Sequence, residues 1–282
     1  MEEGTKREEG SEGFSCCPHN VLWTSGWDST YLVVDLVDRG HIVQPWYVAL
    51  SVDYRPSEKT ELARMRQIKT MIEERGYPGE VRPLRLVQKS SLPHRPDLLE
   101  AAATVRREHG TFPRQYAFLA ALADVLETPL EIGVHKGDNT HGRLDEQVKR
   151  DPATGEFFFP PDGDPDLLRI FRRMSFPIFG VDKHQMGADA RARGFGDIME
   201  TTWFCSTPLF GRPCGHCVTC LATQRQGMGE RVGKSTRLKY LGHRLVWFKT
   251  RNRPEVLRLR AYRLAVSVKN KIARILTPRN KE

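Results

Sequence analysis

The sequence lacks any long hydrophobic run. No uninterrupted apolar stretch approaches the roughly 20 residues that a helix needs to span a bilayer. Residues 1–13 are charged and contain no apolar segment of the kind that a secretory signal requires. Compositional bias is also missing, since 39% of the 282 residues are hydrophobic, 28% are charged and the mean hydropathy is −0.50. These absences exclude collagen-like, low-complexity and wholly disordered chains, and we expect a globular, cytoplasmic protein.

Cysteine is scarce, and acidic residues are nearly missing from one end of the chain. The six cysteines of a protein expected to be cytoplasmic are predicted to be thiols or metal ligands rather than disulfides. Residues 231–282 hold 16 lysines and arginines against Glu255 and Glu282, whereas residues 1–230 carry a net charge of −5. A basic extension of this kind is typical of segments that meet a nucleic-acid or protein partner, and a solvated basic face is the alternative.

Short apolar runs of strand length alternate with segments of helical spacing. The runs are Val21–Trp23, Trp46–Val52, Val81–Val87 and Leu130–Val134. Between the first two, an apolar stretch over residues 31–37 predicts a helix that stops near Gly40. This alternation predicts an α/β fold, a doubly wound parallel sheet covered by helices. Such sheets bind ligands beyond the carboxyl ends of their strands.

The segment Thr24–Thr30 follows the first predicted strand and precedes a helix. Gly26 permits close approach of a ligand to the backbone, and the N–H groups at the start of the helix can cradle an anion. The Gly-Lys-Ser/Thr ending of a Walker loop is missing, and Asp28 would need a divalent cation between its carboxylate and a phosphate. An ordinary capped turn, with Asp28 or Ser29 as the helix cap, is the alternative.

This segment resembles the Ser-Gly-Gly-x-Asp-Ser-Thr loop of the PP-loop (N-type) ATP pyrophosphatases. In the present sequence Thr24 stands where that family has serine, and Ser25 stands where it has the first glycine. The resemblance implies that the loop grips ATP and that pyrophosphate is released as a substrate is adenylated. The implied nucleotide-binding residues are Thr24, Ser25, Gly26, Trp27, Asp28, Ser29 and Thr30.

Four cysteines near the end of the sequence have the spacing of a metal site. They are Cys205, Cys214, Cys217 and Cys220, in the pattern C-x8-C-x2-C-x2-C. Four thiolates suit tetrahedral zinc, and a closed shell of four sulfurs indicates a structural rather than a catalytic metal. Buried thiols, a disulfide pair and an iron–sulfur cluster are the alternatives, and His184 or His216 could replace one cysteine.

The loop and the cysteine spacing together resemble 7-cyano-7-deazaguanine synthases of the queuosine pathway, over about residues 19–228. Weaker matches lie between the two motifs. They are Val52–Tyr54, Phe112–Gln115, Ile132–His135 with the following Asp138, Phe179–Lys183 and Thr202–Cys205. We therefore divide the chain into a flexible N-terminus (1–18), a PP-loop ATP-binding domain (19–200), a zinc knuckle (201–229) and a basic helical extension (230–282).

The resemblance implies an ATP-dependent ligase that acts on 7-carboxy-7-deazaguanine and forms an amide and then a nitrile with ammonia. Its implied cofactors are ATP, Mg²⁺ and Zn²⁺, and a homodimer is expected. The implied catalytic residues are Asp28, Arg114 and Lys183. Asp53 is expected to assist Asp28 at the magnesium ion, while Arg114, Gly133, His135 and Asp138 are expected to bind the substrate.

Departures from the family pattern fall where the substrate should be recognised. His135 and Gln115 each replace an asparagine, and residues 139–146 differ from the family's loop. A specialised paralogue with another acceptor, in defence, secondary metabolism or macromolecule modification, is therefore an open alternative. So are a tRNA-modifying thiolase, a sugar amidotransferase, and a nucleotide- or nucleic-acid-binding module with altered catalysis.

Overall fold

A computed structural model of the chain describes residues 17–50, 55–110, 112–152, 155–208 and 211–232. The chain divides into two compact units, Met1–Ser206 and Thr207–Glu282. Asp53, residues 1–16 of the predicted N-terminus and residues 233–282 of the predicted basic extension lie outside the described residues.

The described part of the first unit contains one mixed sheet of eight strands, most of them parallel. The strands are β1 (His19–Leu22), β2 (Ile42–Ala49), β3 (Glu80–Val81), β4 (Arg85–Gln88), β5 (Leu130–Glu131), β6 (Lys149–Arg150), β7 (Phe157–Phe158) and β8 (Met174–Ser175). Their spatial order is β3-β2-β1-β5-β8-β7-β6, and β4 pairs with β2 beside β3. The antiparallel pairings among these strands are those of β7 with β6 and with β8. The predicted α/β class with a mostly parallel sheet is confirmed.

Helices connect the strands of this unit. They are α1 (Trp27–Asp38), α2 (Glu58–Arg75), α3 (Pro96–His109), α4 (Gln115–Ala123), α5 (His141–Leu144), α6 (Pro165–Phe171), α7 (Lys183–Ala192) and α8 (Gly196–Thr201), with a 3₁₀ turn at Lys89–Ser91. Helix α1 is buried on almost every side because its middle is a run of aliphatic residues, and it ends just before Gly40 as predicted. None of the helices among the described residues is long and apolar enough to cross a membrane.

Two strand predictions are corrected by the structure. The run Val81–Val87 was expected to be one strand, but it forms β3 and β4, separated at Pro83. Proline has no N–H to donate to a strand ladder, so the pairing with β2 stops there and resumes at Arg85. The strand expected from Trp46 begins four residues earlier, at Ile42, because the residues before Trp46 pair with β1 and β3.

A core of aromatic side chains fixes α4 and α6 beside the sheet. Tyr116 of α4 lies 5.0 Å from Phe171 of α6 between ring centroids, and its hydroxyl donates to Thr140 Oγ1 at 3.0 Å. Burial raises the pKa of Tyr116, so its hydroxyl stays protonated and keeps this hydrogen bond. Helix α3 also packs on α6. The apolar spacing of the sequence did not predict α3.

The order of the parallel strands determines where a ligand can bind. The chain leaves β1 to form β2 on one side and later places β5 on the other side. In open parallel sheets this reversal opens a crevice beyond the carboxyl ends of the two central strands. Gly133 follows β5 at that edge, and a Cβ atom there would lie 3.1 Å from Ser29 N and 3.3 Å from Asp28 Cβ. The end of β5 and the first turn of α1 therefore touch at this edge of the sheet.

The second unit is described from Thr207 to Val232, with a gap at residues 209 and 210. It contains two short helices, α9 (Val218–Arg225) and α10 (Gly229–Val232), which pack on each other. Cys217 caps the N-terminus of α9, and its sulfur accepts a hydrogen bond from the backbone N–H of Cys220.

Candidate functional site

The loop between β1 and α1 is held by its own hydroxyl groups. Ser29 Oγ accepts from Thr24 N at 3.3 Å and contacts Gly26 O at 3.4 Å. Ser25 has a φ of 55°, the left-handed region that non-glycine residues rarely enter. Its side chain is completely buried, and its Oγ has no hydrogen-bond partner among the described residues. The loop thus carries both backbone strain and an unsatisfied hydroxyl at the start of a helix.

Three charged or titratable side chains meet at the carboxyl edge of the sheet. Asp28, in the first turn of α1, has its Oδ1 3.4 Å from Lys183 Nζ and 3.6 Å from His135 Nε2. Lys183 begins α7, and His135 lies shortly after β5. Three predicted site residues that are far apart in sequence are therefore brought together. Both contacts are longer than ordinary hydrogen bonds, and Asp28 Oδ1 has no hydrogen-bond partner within the described chain.

The orientation of His135 determines what its contact with Asp28 can do. The ring is buried, with its side chain 4% exposed, and Nδ1 lies 2.8 Å from Lys136 O. A carbonyl oxygen only accepts, so we assign the proton to Nδ1, and Nε2 then faces the Asp28 carboxylate. A neutral imidazole would turn a lone pair toward that carboxylate. A cation or a proton donor between the two groups would therefore make the contact favourable.

A separate ionic network holds the helices that carry Asp28 and Lys183. Arg193, at the end of α7, donates to Asp35 at 2.6 Å, to Asp189 at 2.8 Å and to Asp38 at 2.9 Å. Asp35 and Asp38 lie near the end of α1, so α1 and α7 run side by side in the same direction. Tyr31 of α1 donates to Asp189 at 2.8 Å, and burial raises the pKa of this tyrosine.

The segment that follows α8 is hydrogen-bonded to the loop. Trp203 N donates to Ser25 O at 2.8 Å, and the buried indole Nε1 of Trp203 donates to Cys205 O at 2.7 Å. Two hydrogen bonds therefore connect the strained residue of the loop to the backbone of the first clustered cysteine.

The four predicted metal ligands form one cluster. The Sγ atoms of Cys205, Cys214, Cys217 and Cys220 all lie within 4.8 Å of one another. Cys214 and Cys220 are 3.9 Å apart between sulfurs, close to the roughly 3.8 Å expected around tetrahedral zinc. The group could therefore hold a metal ion such as zinc.

The surroundings of the sulfurs fit this assignment. The N–H of Cys217 donates to Cys214 Sγ at 3.3 Å, and such donors stabilise thiolates. Gly215 makes the turn between these two cysteines with a φ of 80°. His216 does not join the cluster, because its Nδ1 faces Cys214 O at 3.0 Å. His184, the other proposed substitute, is also outside the group.

The remaining predicted site residues make other contacts or lie outside the described residues. Arg114 is exposed at the N-terminal cap of α4. Asp138 accepts from Thr140 N at 2.9 Å and so shapes its own loop. Gly133 contacts the first turn of α1, whereas Asp53 is outside the described residues.

Arg193 and its carboxylate partners were not among the residues predicted from the sequence. The signal was present, because Asp35 and Asp38 are three residues apart on a helix and Asp189 precedes Arg193 by four. What the sequence did not contain was the pairing of the two helices that brings these residues together.

Comparison of the sequence with models of known protein families and with curated proteins finds no match. A function for the chain is therefore inferred from its residues and from the geometry of the site.

Proposed function

We propose that the protein is an ATP-dependent ligase that adenylates a carboxylate, with 7-carboxy-7-deazaguanine as the favoured substrate. The observation that carries this proposal is the meeting of Asp28, Lys183 and His135 beside a strained loop at the start of a buried helix. The crevice beyond β1 and β5 is where open parallel sheets bind nucleotides. The resemblance of Thr24–Thr30 to a PP-loop supports ATP as the nucleotide.

Adenylation gives the carboxylate the leaving group that it lacks. A carboxylate is a poor electrophile, so one of its oxygens attacks the α-phosphorus of ATP, and pyrophosphate departs with the electrons of the broken P–O bond. Ammonia or an amine then attacks the carbonyl carbon, AMP departs, and the nitrogen gives up a proton. The oxygen of the resulting amide then attacks the α-phosphorus of a second ATP, and pyrophosphate departs. AMP leaves with that oxygen while the nitrogen gives up its two protons, which yields the nitrile.

This chain's own residues would orient the reactants and balance their charge. The backbone N–H groups at the start of α1 and the hydroxyl of Thr24 would hold phosphate oxygens. Lys183 would neutralise negative charge as it develops on the phosphates. Asp28 offers the oxygen ligand that Mg²⁺ prefers, and that ion would supply further charge neutralisation. His135 would face the substrate from the end of β5.

The cysteine cluster supports a structural role for its metal. Four sulfurs fill a tetrahedral shell and leave no position for a substrate or for water. Zinc held there would stabilise the fold of the surrounding backbone, and the chemistry would remain with the residues at the crevice.

The direct test is ATP turnover with 7-carboxy-7-deazaguanine, with and without ammonium, and with the deazaguanine product identified by mass spectrometry. We expect AMP and a product mass that matches the amide or the nitrile. Turnover to AMP without such a product would replace the substrate with another carboxylate. A metal-loaded protein that neither binds nor turns over ATP would overturn the proposal.

A matched pair of lysine variants tests the role of the site. Lys183→Gln should lower kcat/KM by about 100-fold, because it removes a cation that faces the developing charge. Lys149→Gln is the control, since Lys149 pairs with Asp162 at 3.0 Å on the surface and has no role in the reaction. Equal activity of the two variants would remove Lys183 from the mechanism.

A further inference from the structure

Ser25 is held in an unfavourable conformation by contacts outside its own loop. A left-handed φ is unfavourable for a non-glycine residue, so the surroundings must stabilise it. The carbonyl of Ser25 accepts from the backbone N–H of Trp203 at 2.8 Å. This hydrogen bond joins the loop to a residue 178 positions later in the chain.

Trp203 is itself anchored at the first clustered cysteine. Its side chain is 5% exposed, and its indole N–H donates to the carbonyl of Cys205 at 2.7 Å. The preceding residue, Thr202, is also buried and donates from Oγ1 to Met199 O at 2.6 Å. The backbone from Thr202 to Cys205 thus has fixed hydrogen bonds at both ends.

We propose that metal binding by the cysteine cluster sets the conformation of the Thr24–Thr30 loop, with Trp203 as the positioning residue. A metal ion fixes the sulfur of Cys205, the indole of Trp203 follows the Cys205 carbonyl, and the Trp203 N–H holds Ser25 in its left-handed conformation. Occupancy of the metal site and affinity for an anion at the loop are therefore coupled. The proposal rests on the proposed function only in taking ATP as that anion.

The coupling has a thermodynamic consequence that can be measured through the affinity for metal or the affinity for ATP. If metal tightens ATP binding by some factor, ATP must tighten metal binding by the same factor. Couplings between sites are typically about 5- to 150-fold. The lower part of that range is expected, because a single hydrogen bond carries the coupling from Trp203 to the loop.

Hydrogen exchange tests the coupling without any ligand at the crevice. Backbone amides of residues 24–30 should exchange about 10-fold faster after zinc is removed with a chelator. Amides of α4, Gln115–Ala123, are the internal control because that helix lies in the aromatic core and should keep its protection. Equal protection of residues 24–30 in both states, or uniform loss that includes α4, would overturn the proposal.

A pair of tryptophan variants tests the route through the indole. Trp203→Phe removes the N–H that reaches Cys205, whereas Trp46→Phe removes an indole N–H that donates to Asn20 Oδ1 at 2.8 Å. The readout is zinc affinity, measured by competition with a chromophoric chelator in the presence and absence of ATP. In the wild type and in Trp46→Phe, ATP should tighten zinc binding about 10-fold. In Trp203→Phe that factor should fall toward one, with zinc affinity in the absence of ATP nearly unchanged.

The outcomes separate this inference from the proposed function. A wild type that binds no ATP in either metal state refutes the proposed function, and hydrogen exchange then decides the coupling alone. A wild type that binds ATP equally well with and without zinc refutes the coupling and leaves the proposed function intact. Equal coupling in both tryptophan variants removes Trp203 as the connection.

Discussion

Helices α1 and α7 meet at both of their ends, and the two meetings differ. At the carboxyl ends Arg193 donates to three aspartates at distances between 2.5 and 2.9 Å. At the amino ends Asp28 lies 3.4 Å from Lys183 and 3.6 Å from His135, and its Oδ1 has no hydrogen bond within the described residues. One end is a complete ionic network that holds the helices together. At the other end, the Asp28 carboxylate keeps hydrogen-bonding capacity that a ligand could use.

This difference separates stability from function within one pair of helices. Folded proteins satisfy nearly all of their buried polar groups, and the exceptions concentrate where a ligand completes the arrangement. Ser25 adds a second exception at the same end, with its left-handed backbone and its unpartnered hydroxyl. The carboxyl ends of the two helices, in contrast, show no such exception among the described residues.

The largest expected effect is that of one substitution made at each end of α1. Asp28→Asn should lower ATP turnover by about 100- to 1,000-fold, because it removes the charge on which the site is built. Its free energy of unfolding should change by less than about 1 kcal/mol, since its contacts are long. Asp38→Asn should leave turnover within about twofold and destabilise the fold by about 1 kcal/mol. Steady-state kinetics measure turnover, and urea unfolding measures the free energy of unfolding. The reverse pattern would contradict the assignment of function to the amino ends and of stability to the carboxyl ends of the two helices.

The next largest effect is expected from removing Arg193, which holds the carboxyl ends of the two helices together. Arg193→Ala leaves Asp35 and its neighbours without their shared cation, and we expect a loss of about 2 kcal/mol from the free energy of unfolding. The figure is below that of a fully buried pair because the Arg193 side chain is 24% exposed. Arg193→Lys should recover part of this loss, since a lysine can bind one carboxylate but cannot match the planar fork of arginine. Unchanged stability of the alanine variant would contradict the assignment of this end as structural.

A smaller effect of opposite sign is expected in the loop. Ser25→Gly should raise the free energy of unfolding by about 1 kcal/mol, because glycine adopts a positive φ without strain and buries no hydroxyl. Ser25→Ala is the control, since it removes the hydroxyl but keeps the strain. Differential scanning calorimetry would compare the three proteins. Destabilisation by glycine would show that the strain is not stored at this residue.

The smallest effect is expected at a histidine–glutamate pair between β1 and β5. His19 Nδ1 lies 2.5 Å from Glu131 Oε1, and this hydrogen bond raises the pKa of His19. A raised pKa stabilises the fold at low pH, and the contribution is lost as the pH rises through the folded-state pKa. The adjacent His41, whose pKa burial lowers, opposes this effect below its ordinary pKa.

His19→Gln isolates the contribution of the protonated imidazole. The wild type should be more stable than the variant at about pH 5.5, and the difference should shrink at about pH 8.5, on either side of the ordinary histidine pKa. Urea unfolding at the two pH values measures the difference. A gap that widens with pH would contradict the assigned sign. Turnover should be unaffected, because neither side chain is among those that meet Asp28.

The sequence predicted the components of the site better than their arrangement. The cysteine spacing predicted the cluster, because four ligands within 16 residues are held near one another by chain connectivity. The alternation of apolar runs predicted the α/β class, since each run is long enough to show its period. The break at Pro83 could have been anticipated from its missing N–H, but the apolar residues on either side suggested continuity.

What the sequence could not supply was long-range pairing. Lys183 and Asp28 are 155 residues apart, and only the packing of α7 on α1 brings them together. The same holds for Trp203 and Ser25, whose contact is made between backbone atoms and leaves no trace in residue type. Arg193 was overlooked because its partners are divided between two helices.

The close approach at Gly133 has a consequence for how this protein can diverge. Any side chain at this position would push against Ser29 N and the Cβ of Asp28. A descendant could therefore replace Gly133 only where the first turn of α1 gives way by a few tenths of an ångström, which a compensating change in that turn would ease. The two segments should be inherited as a unit, so a lineage that alters the start of α1 would be the one free to place a side chain at residue 133.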